Sequence, residues 1–264
     1  MYKKSKTLSR LGIFLVLTSV ISFIVFYLVV MLSSQGYTYV DVETMELVQT
    51  QEIKEGAPVA VIETTYGEIR AVLYPEYAPK TVENFIALVN DGYYDDTYVF
   101  EQKEDVYFAA GTPNADGSLS GNRETNELVP LETHQNLWPF KGALCVMNTT
   151  VDGGFFDRLF QNVKTHTGSR FMVLGSVDFS DEEFVTQFRE ASGSEELADA
   201  FVSRGGVPNF AQQLTVFGQA YEGIDVIEEI CAAEIQAETN VAGYTPPVKE
   251  CKILKITMEE YHAE

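Results

Sequence analysis

The 264-residue chain is poor in the residues that build metal and redox sites. It has three cysteines (Cys145, Cys231 and Cys251) and three histidines (His134, His166 and His262). No Cys-x-x-Cys pair occurs and the histidines are scattered, which argues against a zinc site. Tryptophan occurs once, at Trp138. Basic residues are scarce as well: 18 Lys and Arg face 39 Asp and Glu, for a net charge of −21. Such a surface repels phosphates, so the chain is not expected to bind nucleic acid. It favours solubility and cationic partners. What the chain has is apolar residues (45%) and aromatics, with 17 Phe and 14 Tyr. That composition supports a full core and suits a sheet-rich protein.

One uncharged stretch, Leu11 to Leu32, runs for 22 residues. As a helix it is about 33 Å long, enough for a bilayer core of about 30 Å. Lys3, Lys4, Lys6 and Arg10 precede it, and no basic residue follows before Lys54. The positive-inside rule then places residues 1–10 in the cytoplasm, 11–32 in the membrane and the remainder outside. A cleaved signal peptide is the rival reading, with Ser33-Ser34 as a weak cleavage site. Residues 33–58 are polar and acidic and read as an extracellular stalk, with Tyr37 to Val48 as a candidate extra strand.

The domain proper is expected over residues 59–260. Val59 to Glu63 and Glu68 to Tyr74 flank Thr64-Thr65-Tyr66-Gly67 and predict a hairpin. A helix begins at Pro79-Lys80-Thr81. Val82, Phe85, Ile86 and Val89 mark its buried face, and Asp91-Gly92 ends it. Short strands are predicted at Thr97 to Phe100, Val106 to Ala110, Gly142 to Met147 and Phe171 to Gly175. A helical insertion follows over 179–206. Ser180 to Glu183 reads as a capping box for its first helix, and Ser194 as the cap of its second. Leu214 to Ala220 returns to strand, Gly223 to Ala232 to helix, and Lys252 to Met258 to strand. Many short strands with two packed helices suggest a closed barrel with helical plugs. Cys145 reads as a core residue. Cys231 and Cys251 lie where an oxidising compartment would permit a disulfide, although sequence does not fix the geometry.

The order of these elements resembles the cyclophilin family. Glu68-Ile69-Arg70-Ala71-Val72-Leu73-Tyr74 followed by Ala78-Pro79-Lys80-Thr81-Val82-Glu83-Asn84-Phe85 is similar to that family's N-terminal signature. Gly92 to Thr97, Gly142 to Asn148, Thr167 to Val173 and Val216 to Ala220 resemble its later segments. The likeness spans roughly Val59 to Met258. It implies a mainly β fold: an eight-stranded closed antiparallel barrel capped by two helices. Here that barrel would carry the insertion and the N-terminal transmembrane helix. It also implies a peptidyl-prolyl cis-trans isomerase that needs no cofactor and acts on proline-containing segments or unfolded secreted proteins.

The family weakens the amide with one arginine aimed at the proline nitrogen, beside an apolar slot for the proline ring. Aligned without gaps, that arginine's position is Glu101; with a one-residue slip it is Gln102. The neighbouring strand puts Ala109 in place of a glutamine and Tyr107 in the slot. A second groove glutamine becomes Arg170, and the aromatic floor becomes Met172. The family tryptophan falls near Asn209-Phe210 and its histidine near Leu214, while Asn148 keeps its identity. The candidate site is therefore Arg170 and Glu101 as catalytic groups. Gln102, Tyr107, Ala109, Asn148, Met172, Phe210 and Leu214 are the substrate-binding candidates. Glu101 and Arg170 are expected to face each other as an ion pair, with Arg170 either a surrogate donor or a structural partner. Three functions stay open: an extracellular isomerase, a non-catalytic holder of proline-containing or unfolded segments, and an assembly module of the cell envelope.

Overall fold

The computed structural model describes residues 40–118, 129–151 and 164–263, with backbone alone at 148–151 and 164–167. The apolar run at 11–32 lies outside the described residues, as do residues 37–39 of the candidate strand at Tyr37 to Val48; residues 40–48 are described and form a turn and irregular backbone, not the extra strand expected there. Among the described residues no helix is long and apolar enough to cross a membrane.

Among the described residues nine strands form one sheet: β1 (Pro58–Thr64), β2 (Glu68–Leu73), β3 (Thr97–Lys103), β4 (Tyr107–Thr112), β5 (Val129–Pro130), β6 (Ala143–Val151), β7 (Lys164–Leu174), β8 (Val216–Glu222) and β9 (Lys252–Glu260). Their order is β4-β3-β9-β1-β2-β8-β6-β7-β5, and β4 also pairs with β7. That last pairing closes eight strands into a barrel and leaves the two-residue β5 on the flank of β7. The β1–β2 hairpin turns at Gly67, whose φ is 147°. A side chain there would meet Val226 at 2.8 Å, so the turn and the helix packed on it both require glycine.

Strand alternation sorts side chains between the barrel interior and its outer wall. Phe108 and Ala110 of β4, Phe171 and Val173 of β7, Leu144 and Val146 of β6, and Phe217 of β8 share the interior cluster. Two helices plug it: α1 (Pro79–Asn90), through Val82, Phe85, Leu88 and Val89, and a short C-terminal helix (Ile224–Cys231), through Ile227 and Ile230. Each fully buried aromatic or aliphatic side chain contributes about 1.5–3 kcal/mol. The intervening residues, Tyr107, Ala109, Met172, Leu174, Ala143, Cys145 and Val216, gather in a second cluster on the outer wall.

The insertion forms α2 (Glu182–Ser192) and α3 (Glu195–Arg204), which makes the C-terminal helix α4. Asp181, not Ser180, caps α2 by accepting from the Glu183 and Phe184 amides; Ser180 instead bonds Asp178. Ser194 caps α3 as expected. Phe188 and Phe201 pack against Trp138, Phe140 and Leu47 in a third cluster, so the insertion rests there. Part of the expected stalk belongs to the same packing. A 3-10 turn at Val48–Thr50 follows buried Leu47, and Gln49 is 6% exposed. Gln49 Nε2 donates to the Trp138 carbonyl and Gln219 Oε1 (both 2.8 Å), while the Trp138 amide donates back to Gln49 Oε1 (2.6 Å). All three cysteines are buried and unpaired, so Cys231 and Cys251 form no disulfide. Burial pushes their thiols up to about 12 and about 11.

Candidate functional site

The outer wall over β3, β4 and β7 gathers most of the expected site residues. In register, Glu101 of β3 lies opposite Ala109 of β4, and Ala109 lies opposite Met172 of β7. Tyr107 and Met172 share the outer cluster with Phe210 and Leu214, which arrive from the segment between α3 and β8. The Tyr107 and Phe210 ring centroids are 6.1 Å apart. Phe210 is carried by a 3-10 turn, Pro208–Phe210, in which proline presets the backbone. Tyr107, Phe210 and Leu214 are partly exposed, while Met172 and Ala109 are covered. The accessible apolar face is therefore a shallow one with Met172 as its support. Ala109 offers a bound molecule no surface, against the expectation that it contacts substrate.

Gln102 also departs from expectation. Strand alternation turns it away from Glu101, and it is 1% exposed. Its Nε2 donates to the carbonyls of Cys231 (2.8 Å) and Ala233 (2.7 Å), closing the end of α4. It is a structural tie and does not line the groove. Asn148 lies on β6, and its side chain is outside the described residues.

Glu101 and Arg170 do not pair. Glu101 Oε1 accepts from the Tyr107 hydroxyl at 3.1 Å. Burial lifts its carboxyl above the ordinary range, partly opposed by that hydrogen bond and by the charge of Lys103. Burial and the neighbouring Glu101 raise Tyr107 in turn, holding the phenol neutral. Arg170 Nη1 instead donates to the hydroxyl of Tyr244 at 2.7 Å, and its guanidinium lies 6.0 Å from the Phe100 ring centre. Tyr244 packs edge-on to Phe100 at 4.9 Å. Sequence reasoning missed both aromatics. In sequence Phe100 marks a strand and, in the alignment with a one-residue slip, the place of the family phenylalanine, with no tie to Arg170; Tyr244 lies in an irregular stretch with no assigned element. The signal available was the string Gly243-Tyr244-Thr245-Pro246-Pro247, an aromatic fixed between a turn residue and two prolines.

The site thus combines an apolar cluster, a half-buried cation against Phe100 and Tyr244 of that cluster, and a separate carboxyl–phenol pair. Among the described residues no His, Cys, Asp and Glu cluster could hold a metal ion. Cavities of about 490 and 340 Å³ lie elsewhere. The first is walled by residues 51–58 and 72–77, and the second lies around Gln49, Lys141, Arg204 and Gln219.

Comparison with known proteins supplies the family context. Residues 59–258 match the family model described as cyclophilin type peptidyl-prolyl cis-trans isomerase/CLD. A Staphylococcus aureus protein named "Putative peptidyl-prolyl cis-trans isomerase" is 27% identical over 210 residues, covering 80% of this chain and 96% of that protein. A Staphylococcus epidermidis protein of the same name is 28% identical over the same span. Among solved structures, a Cryptosporidium parvum cyclophilin type peptidyl-prolyl cis-trans isomerase superposes with a TM-score of 0.53 at 17% identity, covering 78% of this chain and 99% of that one. A second structure of that protein, obtained in the presence of the dipeptide Ala-Pro, gives 0.50 at 18% identity.

Proposed function

The chain belongs to the cyclophilin-type peptidyl-prolyl cis-trans isomerase family, and from that premise we propose that it is a membrane-anchored isomerase facing outward, acting on proline-containing segments of secreted proteins as they fold. The observation that carries this reading is the apolar cluster of Tyr107, Phe210, Leu214 and Met172, with Arg170 against Phe100 and Tyr244 of the same cluster. A proline ring is apolar and suits that cluster. Rotation about the prolyl bond faces a barrier of about 18–20 kcal/mol because the amide has double-bond character. A donor directed at the proline nitrogen localises its lone pair and lowers that barrier. Arg170 is the donor in this reading. The chemistry requires no cofactor and forms no covalent intermediate. The solved cyclophilin obtained with Ala-Pro supports a proline-containing ligand. The uncharged run at 11–32 and the basic residues before it support the anchor and its orientation.

A second reading keeps the binding and drops the catalysis. It is favoured by the alignment that puts Glu101 where the family has its arginine, because a carboxylate cannot donate to a proline nitrogen. One experiment separates the two. Cis-trans exchange of a peptide containing Ala-Pro is followed by exchange NMR with the full-length chain and with Arg170→Ala. The isomerase reading expects exchange well above the uncatalysed rate, and at least a tenfold loss of kcat/KM in the variant. Background exchange in the wild type, with the peptide still bound, leaves the holder as the function. Neither exchange nor binding would remove both.

A further inference from the structure

Tyr244 is delivered to Arg170 by a segment with a fixed shape. Asn240 closes a small loop: its side-chain oxygen accepts from the amides of Ala242 and Tyr244 (both 3.0 Å), and its own amide donates to the Tyr244 carbonyl at 2.8 Å. Its side-chain amide donates to the Asp116 carbonyl at 3.1 Å, pinning the loop to the turn after β4. The next residue, Thr245, exchanges two bonds with Gln102 of β3: the Gln102 amide donates to the Thr245 carbonyl, and the Thr245 hydroxyl donates to the Gln102 carbonyl, both at 3.1 Å. Pro246 and Pro247 follow, both buried. Proline fixes the backbone that leaves the loop. The Tyr244 ring then sits on Phe100, and space for the two rings is kept by Gly117. A side chain on Gly117 would meet Tyr244 at 2.5 Å and Phe100 at 2.6 Å, and its φ of 79° favours glycine as well.

The consequence falls on Arg170. Its guanidinium is held by a hydrogen bond to the Tyr244 hydroxyl (2.7 Å) and lies over the Phe100 ring. Arginine has many rotamers, and a donor that must meet a proline nitrogen works only when it is pre-set. We propose that Tyr244 is a positioning residue, whose hydroxyl sets the guanidinium of Arg170 against the apolar cluster before a prolyl peptide arrives. This rests on the reading of Arg170 given above. Tyr244 touches neither substrate nor reacting atoms in this role; it acts through Arg170.

The test uses the full-length chain and three variants: Tyr244→Phe, Arg170→Ala and the double variant. Tyr244→Phe keeps the ring against Phe100 and removes only the hydroxyl. It is expected to lower kcat/KM for Ala-Pro exchange about 3- to 10-fold, the size of one hydrogen bond. Its thermal midpoint falls by no more than about 4 °C, the size of one part-buried hydrogen bond. The Arg170 side-chain Nε resonance shifts in an arginine-labelled sample, which reports loss of the bond itself, and the loss in exchange falls on kcat with KM little changed, a split that a purely structural tyrosine would not give. The double variant is no slower than Arg170→Ala, because both changes remove one linked function. Arg170→Ala slower and Tyr244→Phe unchanged would overturn the positioning role while leaving the function reading in place. Additive losses would overturn it too. Arg170→Ala unchanged overturns the donor assignment itself. Should the wild type bind without exchange, the same comparison is made on peptide affinity. There, equal affinity of wild type and Tyr244→Phe rejects the proposal.

Discussion

A carboxyl on a barrel wall, half-buried and bonded to a phenol, behaves differently from the surface carboxylates that dominate this chain. Glu101 is the case. Burial disfavours its charged form, so its folded pKa lies above the ordinary value of 4.5. The sign for stability follows directly. Between 4.5 and the raised value the folded chain holds more proton on this group than the unfolded chain, so stability falls as pH rises through that window. The contribution is present below pH 4.5 and is lost above the folded pKa, opposite to an ordinary ion-paired carboxylate. Glu101→Gln removes the titration and keeps an oxygen for Tyr107 to donate to. The stability difference, variant minus wild type, should therefore increase between pH 4.5 and 7.5 in urea unfolding. A difference that is flat with pH, or falls, would show that Glu101 titrates normally. Tyr107→Phe moves the same group further in the same direction, since it removes a bond that favours the carboxylate. NMR titration of Glu101 measures that shift.

At the level of single elements, α1 shows what a sequence can and cannot disclose. Its start at Pro79 and its buried face were legible, because proline at a first turn and apolar spacing are local signals. Its cap was not. Ala78 at the N-cap offers no side-chain acceptor. The carboxylate of Glu132 fills the role from 52 residues away, accepting from the Lys80 amide (3.2 Å), the Thr81 amide (2.8 Å) and the Thr81 hydroxyl (2.8 Å). No local pattern announces such a contact. The same distinction runs through the site. That Tyr107, Met172, Phe210 and Leu214 gather on one wall was legible because each sits at a fixed offset within a recognisable strand or loop. Tyr244 depends on tertiary docking of an irregular segment, and Gln102 on which face of β3 turns inward after the strand bulges. The cap is a measurable quantity. Glu132→Ala should destabilise the fold by about 1–2 kcal/mol, the usual size for loss of an N-cap. For a domain of this size that is a fall of about 2–8 °C in the thermal midpoint. Glu132→Gln should recover part of it, since one acceptor oxygen remains. Faster amide exchange at Lys80 and Thr81 would locate the damage. No change in midpoint for Glu132→Ala would show the contact to be worthless.

For the molecule as a whole, the folding unit is larger than the stretch that matches the family. That match covers residues 59–258, yet the barrel holds chain on both sides of it. Downstream, the Tyr261 amide and carbonyl bond residues Ala57 and Gly56, and His262 pairs with Glu55 at 2.7 Å. Upstream, Gln49 binds Trp138 and Gln219 with three hydrogen bonds, and Leu47 joins the aromatic cluster under the insertion. The segment read from sequence as a stalk therefore does structural work, because its few apolar and amide groups find partners only after the barrel has formed. Its removal would expose Trp138, Phe140 and Phe201 and leave the Gln219 side chain and Trp138 backbone without their partner. Each of the three hydrogen bonds so exchanged for water is worth about 0.5–1.5 kcal/mol. A chain beginning at Val59 should consequently unfold at lower urea than one beginning at Val40, by about 2–4 kcal/mol. Gln49→Ala in the longer chain should reproduce about half of that loss. The shorter chain should also bind a dye that reports exposed apolar surface. Equal unfolding midpoints for the two lengths would show that residues 40–58 lie on the barrel without supporting it.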